Sequence, residues 1–214
     1  MKRDEEHPFV SRAGMKLAHA LDAFGPAGSL GSRGVDVRGL RCADFGCNKG
    51  GFTDCLLQRG AAHVIAIDTG YNIIDWKLRS DRRVEVRERT NALHAEPPRE
   101  GVDLVVIDLS WTPQRLAVPA ALRWLSPSGA KRIITLVKPH YELRADEKHL
   151  LERGFLAHDR ARGVAERVAS EMPALGASVI DSCASPIMGG KSSRARKGEG
   201  NLEFLMLIEP ARSG

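Results

Sequence analysis

One stretch, Leu40-Arg41-Cys42-Ala43-Asp44-Phe45-Gly46-Cys47-Asn48-Lys49-Gly50-Gly51-Phe52, limits what this chain can fold into more than any other. A short apolar run ends in an acid, a glycine turn follows, and an apolar helical pattern (Phe52, Cys55, Leu56, Leu57) opens directly after it. This is strand, turn, helix. Glycines at such a turn let the backbone adopt positive φ and let a ligand approach main-chain N–H groups at the helix N-terminus, where the dipole favours carboxylate or phosphate. The stretch predicts a nucleotide-like cofactor.

The spacing narrows the choice. A dinucleotide fingerprint needs G-x-G-x-x-G, but here Gly46 is followed only by Gly50 and Gly51. A Walker A loop needs lysine after its last glycine, and Phe52 stands there. Gly190-Lys191-Ser192 comes closer, but Ser185 replaces the first glycine. An acid on the first strand, a glycine loop, and a second acid, Asp68, closing the run Val64-Ile65-Ala66-Ile67 suit S-adenosylmethionine better. The loop then lies against the amino-acid part of the cofactor, and Asp68 accepts from the ribose hydroxyls.

Strand and helix patterns alternate from Leu40 onward, which predicts an α/β fold with a parallel sheet and helices on both faces. Strands are expected near 40–45, 63–67, 83–87, 102–108, 131–137, 176–183 and 201–209, with helices near 51–59, 72–79, 112–124 and 158–174. Residues 140–154 suit either loop or helix. Ahead of the domain, Ser11 is a candidate N-cap for a helix to about Phe24, with Leu17, Leu21 and Phe24 on one stripe and Lys16 flanking it. The expected organisation is residues 1–39 as helix and loop packed on a single domain of 40–214, within what 214 residues can build.

Ligands of open α/β sheets sit outside the carboxyl ends of the strands, so the residues that end strands are the ones to inspect. Asp108 closes Asp103-Leu104-Val105-Val106-Ile107, and Lys138 closes Ile133-Ile134-Thr135-Leu136-Val137. Glu203 stands near the start of the apolar strand Asn201 to Ile208, where an acid is out of place by propensity.

The net charge of +5 permits a polyanionic partner without requiring one. Lys191, Arg194, Arg196 and Lys197, set among glycines and serines, are suited to contacting a phosphate backbone. The cysteines Cys42, Cys47, Cys55 and Cys183 form no C-x-x-C pair, and no histidine cluster supplies metal ligands, so no metal is expected. All but Cys47, which lies in the cofactor loop, occupy apolar strand or helix positions, as buried free thiols do. The N-terminus lacks an apolar signal core, and no run reaches the roughly 18 residues of a membrane span, so a cytoplasmic protein is expected.

Lys16, Asp108, Lys138 and Glu203, in that order and setting, resemble the Lys-Asp-Lys-Glu tetrad of FtsJ-like ribose 2'-O-methyltransferases. The segments Val10 to Leu17, Gly50 to Asp54, Glu88 to Asn91, Val106 to Asp108, Leu136 to Pro139, Ser185 to Ile187 and Asn201 to Phe204 are similar to the TlyA (haemolysin-like) branch. The resemblance runs from about Phe9 to Glu209. It implies a Rossmann-like seven-stranded methyltransferase fold, S-adenosylmethionine as donor, and an RNA ribose 2'-hydroxyl, of ribosomal RNA or a ribosomal particle, as acceptor. By position, Gly46, Asn48, Gly50, Gly51 and Phe52 form the methionine-side loop, Asp68 takes the ribose, Asn91 lies near the adenine, and Asp108 touches both cofactor and reaction centre. The family commonly has small residues and hydroxyls where this loop reads Cys47-Asn48-Lys49. TlyA-like proteins usually carry a small N-terminal RNA-binding domain, and this chain begins just before the methyltransferase part. RNA specificity is then expected from the basic loop 191–197 or from a partner.

A sulfonium methyl is already electrophilic, so the protein's tasks are in-line alignment and removal of a poorly acidic hydroxyl proton. A neighbouring ammonium and desolvation lower a lysine pKa, while carboxylates raise it and hold geometry. Lys138 is the expected base, with Lys16 and Asp108 positioning hydroxyl and cofactor and Glu203 orienting a lysine. Two other readings stay open: a methyltransferase for a small-molecule hydroxyl, with an apolar lid, and a non-catalytic RNA-binding or assembly factor that keeps the fold.

Overall fold

A computed structural model describes residues 8–28, 30–129, 131–189 and 200–211. The strands are β1 (Arg41–Phe45), β2 (His63–Ile67), β3 (Val84–Arg87), β4 (Leu104–Ile107), β5 (Arg132–Val137), the short pair β6 (Leu151–Glu152) and β7 (Phe155–Leu156), then β8 (Ala177–Ala184) and β9 (Phe204–Pro210). The helices are α1 (Ala13–Ala23), α2 (Gly51–Gln58), α3 (Trp76–Arg79), α4 (Gln114–Leu122) and α5 (His158–Glu171). Seven strands form one sheet in the order β3-β2-β1-β4-β5-β9-β8.

The central strands read as near-continuous apolar runs because both faces of the sheet are covered. In β4, Val105 and Ile107 enter the core shared with α4 and α5, while Leu104 and Val106 enter the one shared with α1 and α2. This is the two-residue alternation of a strand with a core on each side. Phe45 meets Trp124 edge-on in the first core, ring centroids 5.2 Å apart. Leu17, Ala20, Leu21 and Phe24 bury the α1 stripe in the second.

The expected parallel sheet holds for β1 to β5, but β9 runs antiparallel to both β5 and β8. Antiparallel neighbours need no crossover helix, and the described residues between β8 and β9 include none. Helix boundaries moved for local reasons. The helix expected from residue 72 begins at Trp76, because Asn72 is left-handed (φ 56°) and the Asp75 side chain caps by accepting from Lys77 N–H at 2.9 Å. The one expected from 112 waits until Gln114, after left-handed Trp111 (φ 56°) and extended Pro113. The one expected to reach 174 ends at Glu171, and Pro173 lies in the 3-10 turn that follows.

Residues 140–154 are neither plain loop nor α-helix. They hold parts of two 3-10 segments (Pro139–Tyr141, Ala145–Leu150) and lead into the β6–β7 hairpin. Arg153 (φ 51°) and Gly154 (φ 88°) make its two-residue turn, with positive φ at both positions as a tight hairpin prefers. The last strand begins at Phe204 instead of 201, with Asn201 in an isolated bridge to Gly189.

Ser11 is not an N-cap. α1 starts after Arg12 with no side-chain cap, and Ser11 faces Gly51 at the start of α2, where a methyl group would strike its Oγ. Cys42, Cys47 and Cys55 are buried, but Cys183, on edge strand β8, is half-exposed and departs from the expected burial. Among the described residues no helix is long and apolar enough to cross a membrane.

Candidate active site

Four charged side chains from four separate elements meet at the carboxyl ends of the parallel strands. Lys16 comes from α1, Asp108 follows β4, Lys138 follows β5 and Glu203 immediately precedes β9; all line one cavity of about 390 Å³. They are arranged as two ion pairs. Lys16 Nζ donates to Glu203 Oε2, and Lys138 Nζ lies 2.5 Å from Asp108 Oδ1 while donating to the Leu109 carbonyl at 3.2 Å. Lys16 is 6% exposed and Glu203 3%, so Lys16 is not the solvated lysine its place beside the apolar stripe suggests.

What brings Lys16 there is the docking of α1 on α2. Buried Asp54 accepts from Val10 N–H at 2.9 Å and from Lys77 Nζ at 3.1 Å, fastening the chain just before α1. What admits Glu203 is Gly189: a Cβ there would collide with Glu203 Oε1. Gly189→Ala is therefore expected to expel the carboxylate and release Lys16, lowering kcat about tenfold or more in a chain that still folds but melts below wild type. Wild-type turnover in that variant, measured with its circular dichroism, would contradict this placement.

The glycine loop forms the other side of the cavity through Gly46, Cys47, Asn48, Lys49 and Phe52. Its N–H groups are less available than the sequence suggests. Those of Gly46 and Cys47 both donate to the Ile67 carbonyl, at 2.9 and 3.1 Å, and that of Asn48 donates to Asp68 Oδ2 at 2.9 Å. The loop therefore cradles by shape. Gly46 (φ 87°) needs its glycine because a Cβ would lie 2.6 Å from the Asp108 carbonyl oxygen.

Gly50, Gly51, Asp68 and Asn91 do not line this cavity. The missing side chain of Gly50 makes room for Leu78 and that of Gly51 for Ser11 and the Gly14 N–H, so these two glycines serve packing. Asp68 directly follows β2 and also accepts from Gly70 N–H at 2.8 Å; Asn91 Oδ1 accepts from Leu93 N–H at 3.0 Å. Lys191, Arg194, Arg196 and Lys197 lie outside the described residues.

Several lining residues carry no signal of a site role in the sequence: Arg12, Ser110, His140 and Tyr141, together with Ser11, which reads only as a helix cap. His140 is the most informative. Its Nδ1 is buried with no protein partner, and burial together with the Lys138 and Lys16 charges pushes the imidazole down to about 4, leaving it neutral near pH 7. Only its position could have pointed to it, two residues beyond Lys138 at the mouth of the same strand.

Asp44, the acid of the opening stretch, is fully buried on β1. Its Oδ2 accepts from the Thr53 N–H (3.0 Å) and hydroxyl (2.7 Å), and its Oδ1 has no partner. Burial pushes its carboxyl up to about 7. Between the unfolded value near 4 and about 7, the folded chain holds a proton that the unfolded chain releases, so this group's contribution to stability falls as pH rises through that window. Asp44→Asn is expected to flatten the decline of Tm between about pH 4 and 7; an unchanged slope in a thermal scan would contradict the assignment.

The site's residues suit S-adenosylmethionine. Gly46 lines the cavity without a side chain, next to Asp108, whose second carboxylate oxygen can accept from the ammonium of the cofactor's amino-acid part. Among the described residues no group of His, Cys, Asp and Glu is placed to hold a metal ion.

Comparison with known proteins finds relatives along nearly the whole chain. The chain is 40% identical over 210 residues to the 16S/23S rRNA (cytidine-2'-O)-methyltransferase TlyA of Mycobacterium tuberculosis, covering 96% of this chain and 70% of that protein. It is 32% identical over 201 residues to Hemolysin A of Brachyspira hyodysenteriae, covering 92% and 75%. A solved structure from Streptococcus thermophilus superposes with a TM-score of 0.82 at 34% identity, over 99% of this chain and 70% of that one. Magnesium protoporphyrin IX methyltransferase from Synechocystis, solved with S-adenosylmethionine bound, shares the Rossmann-like methyltransferase fold at a TM-score of 0.56 and 13% identity, over 97% and 86% of the two chains. The profile of the FtsJ-like methyltransferases matches residues 9–195, and this chain belongs to that family.

Proposed function

We propose that this protein methylates a ribose 2'-hydroxyl of RNA, in ribosomal RNA or a ribosomal particle, using S-adenosylmethionine. The convergence of Lys16, Asp108, Lys138 and Glu203 on one cavity carries the reading, and the activity printed for the Mycobacterium tuberculosis relative supports it. The cofactor supplies an electrophilic methyl group. Gly46, Asn48, Phe52 and Asp108 hold it, with Asp68 taking the ribose and Asn91 the adenine side.

Lys138, held by Asp108 and the Leu109 carbonyl, is the group placed to take the hydroxyl proton. Lys16 and Asp108 orient the acceptor and the cofactor. Glu203 fixes Lys16 by a buried charge-assisted hydrogen bond. Little is asked of the protein beyond alignment and this one proton transfer.

Incubation of the protein with isotopically labelled S-adenosylmethionine and total RNA tests the reading. Label recovered on ribose after digestion is the expected result. No incorporation into RNA or ribosomal subunits would overturn it, and label in a small molecule at a rate indifferent to salt would favour the small-hydroxyl alternative. Asp68→Ala is expected to weaken S-adenosylmethionine binding about tenfold or more, because it removes a charged acceptor. Unchanged affinity by calorimetry would reject Asp68 as the ribose ligand.

A further inference from the structure

Lys138 joins two strand ends. Its backbone follows β5, while its Nζ is held by Asp108 and the Leu109 carbonyl, both from the segment that links β4 to α4. The reacting geometry therefore depends on how far that segment stands from the end of β5. Strand pairing does not reach far enough to set this distance. The β4–β5 register ends at Ile107 opposite Thr135, and the next N–H, that of Asp108, turns the other way to donate to the Phe45 carbonyl on β1 at 2.9 Å. What ties the segment to β5 is Gln114, the first residue of α4. Its Oε1 accepts from the Thr135 hydroxyl at 2.7 Å, and its Nε2 donates to the Leu136 carbonyl at 3.4 Å. Its backbone N–H donates at 2.9 Å to Oε1 of Glu142, beyond Lys138 in the chain, and the Glu142 carbonyl accepts from Arg167 of α5 at 3.1 Å. Gln114 thus grips the chain on both sides of Lys138.

We propose that Gln114, through its hydrogen bond with Thr135, is a positioning residue for methyl transfer: it sets the separation of β5 from residues 108–113 at which Lys138 meets Asp108 and the acceptor hydroxyl. The inference rests on the reading of Lys138 given above and extends it to a side chain that does not line the cavity. Gln114 touches no reacting atom. It holds a segment whose displacement by about 1 Å is enough to misalign an in-line transfer. Its setting argues for that role over packing. Gln114 and Thr135 are both buried, and Thr135 stands between Ile133 and Val137 on a face of β5 that otherwise enters an apolar core. Polar side chains are costly there unless they pair, and apolar residues of the same shape would fill the space as well. What the polar pair adds is a direction and a fixed length.

Two substitutions of one threonine separate positioning from packing. Thr135→Ser keeps the donated hydrogen bond and loses a methyl group, whereas Thr135→Val keeps the shape and loses the bond. With the RNA labelled in the total-RNA experiment as acceptor, Thr135→Val is expected to lower kcat about tenfold to a hundredfold while KM for RNA and for S-adenosylmethionine changes little. Thr135→Ser is expected to melt lower, because its lost methyl leaves a void, and yet to keep kcat within about threefold of wild type. The double variant Gln114→Met/Thr135→Val strands neither polar side chain, so it is expected to melt near wild type and still to show the kcat loss. It decides the matter should Thr135→Val fail to fold. The same variants are read without turnover through the side-chain εCH₂ resonance of Lys138 in protein made with ¹³C-labelled lysine, assigned by its absence from Lys138→Arg. That resonance is expected to move in the valine and double variants and to stay in place in the serine variant. Wild-type kcat in a folded valine or double variant, or an unmoved resonance there, would overturn the proposal. So would a serine variant that loses as much kcat as the valine variant, since that pattern belongs to packing. Should wild type methylate no RNA, the RNA reading falls, and the lysine resonance alone decides whether Gln114 places Lys138.

Discussion

Lys138→Ala is expected to lower kcat by about 10²–10⁴-fold while S-adenosylmethionine still binds, since general-base catalysis by a placed side chain contributes that much. The alanine also leaves Asp108 without its ion-pair partner, so lost turnover in that variant has two readings. Lys138→Arg separates them. Arginine can keep an ion pair with Asp108, but its guanidinium does not give up a proton at any working pH and cannot serve as the base. Both variants are therefore expected to be inactive, and the arginine variant to melt close to wild type. Substantial turnover by the arginine variant would show that the residue holds geometry and that the proton leaves by another route. Equal loss of turnover and cofactor binding in a folded alanine variant would move Lys138 from the chemistry to the cofactor site.

The second large effect is on stability. Lys16 and Glu203 are a buried pair, and removing one partner strands the other's charge. Lys16→Met is expected to destabilise the fold by roughly 3–5 kcal/mol, a fall in Tm of about 10 °C for a chain of this size. The double variant Lys16→Met/Glu203→Leu removes both charges and is expected to regain most of that loss, because paired burial itself contributes little net stability. It is nevertheless expected to remain inactive. Additive melting-temperature losses in the double variant would mean that the two side chains do not act as a pair. A fully active double variant would mean that the pair is structural and no part of the site.

The order of chemistry along the chain was legible because strand periodicity and the strand-end rule need only local information. The run ending in Asp108 and the run ending in Lys138 are apolar throughout until a charge, and that contrast survives in sequence. Pairing was not legible. Lys16 meets Glu203 across 187 positions, and nothing near either residue specifies the other. The glycine loop shows a similar limit: Gly50 and Gly51 read as a ligand cradle, yet Leu78, Ser11 and Gly14 occupy the space their missing side chains leave. What packs opposite a glycine depends on tertiary contacts that turn propensity does not carry.

His140 escaped notice for a different reason. It opens a charged stretch without period, which resolves into 3-10 turns and a four-residue ribbon too short to give a pattern. Antiparallel β9 was invisible because an apolar run has no written direction. Its direction matters to the site. Running antiparallel beside β5, the strand begins at the end where β5 finishes, with Phe204 opposite Val137, and so brings Glu203 to the same edge of the sheet as Lys138. A parallel β9 would have put Glu203 at the opposite edge.

A single 2'-deoxy substitution gives the sharpest check on the claim that these four residues act on a ribose hydroxyl. An RNA carrying it at the methylated nucleotide differs from the natural substrate by one oxygen atom, the one on which the new bond forms. Methyl incorporation at that nucleotide is predicted to vanish while the RNA still competes for binding. Undiminished incorporation would place the methyl on a base and contradict the account.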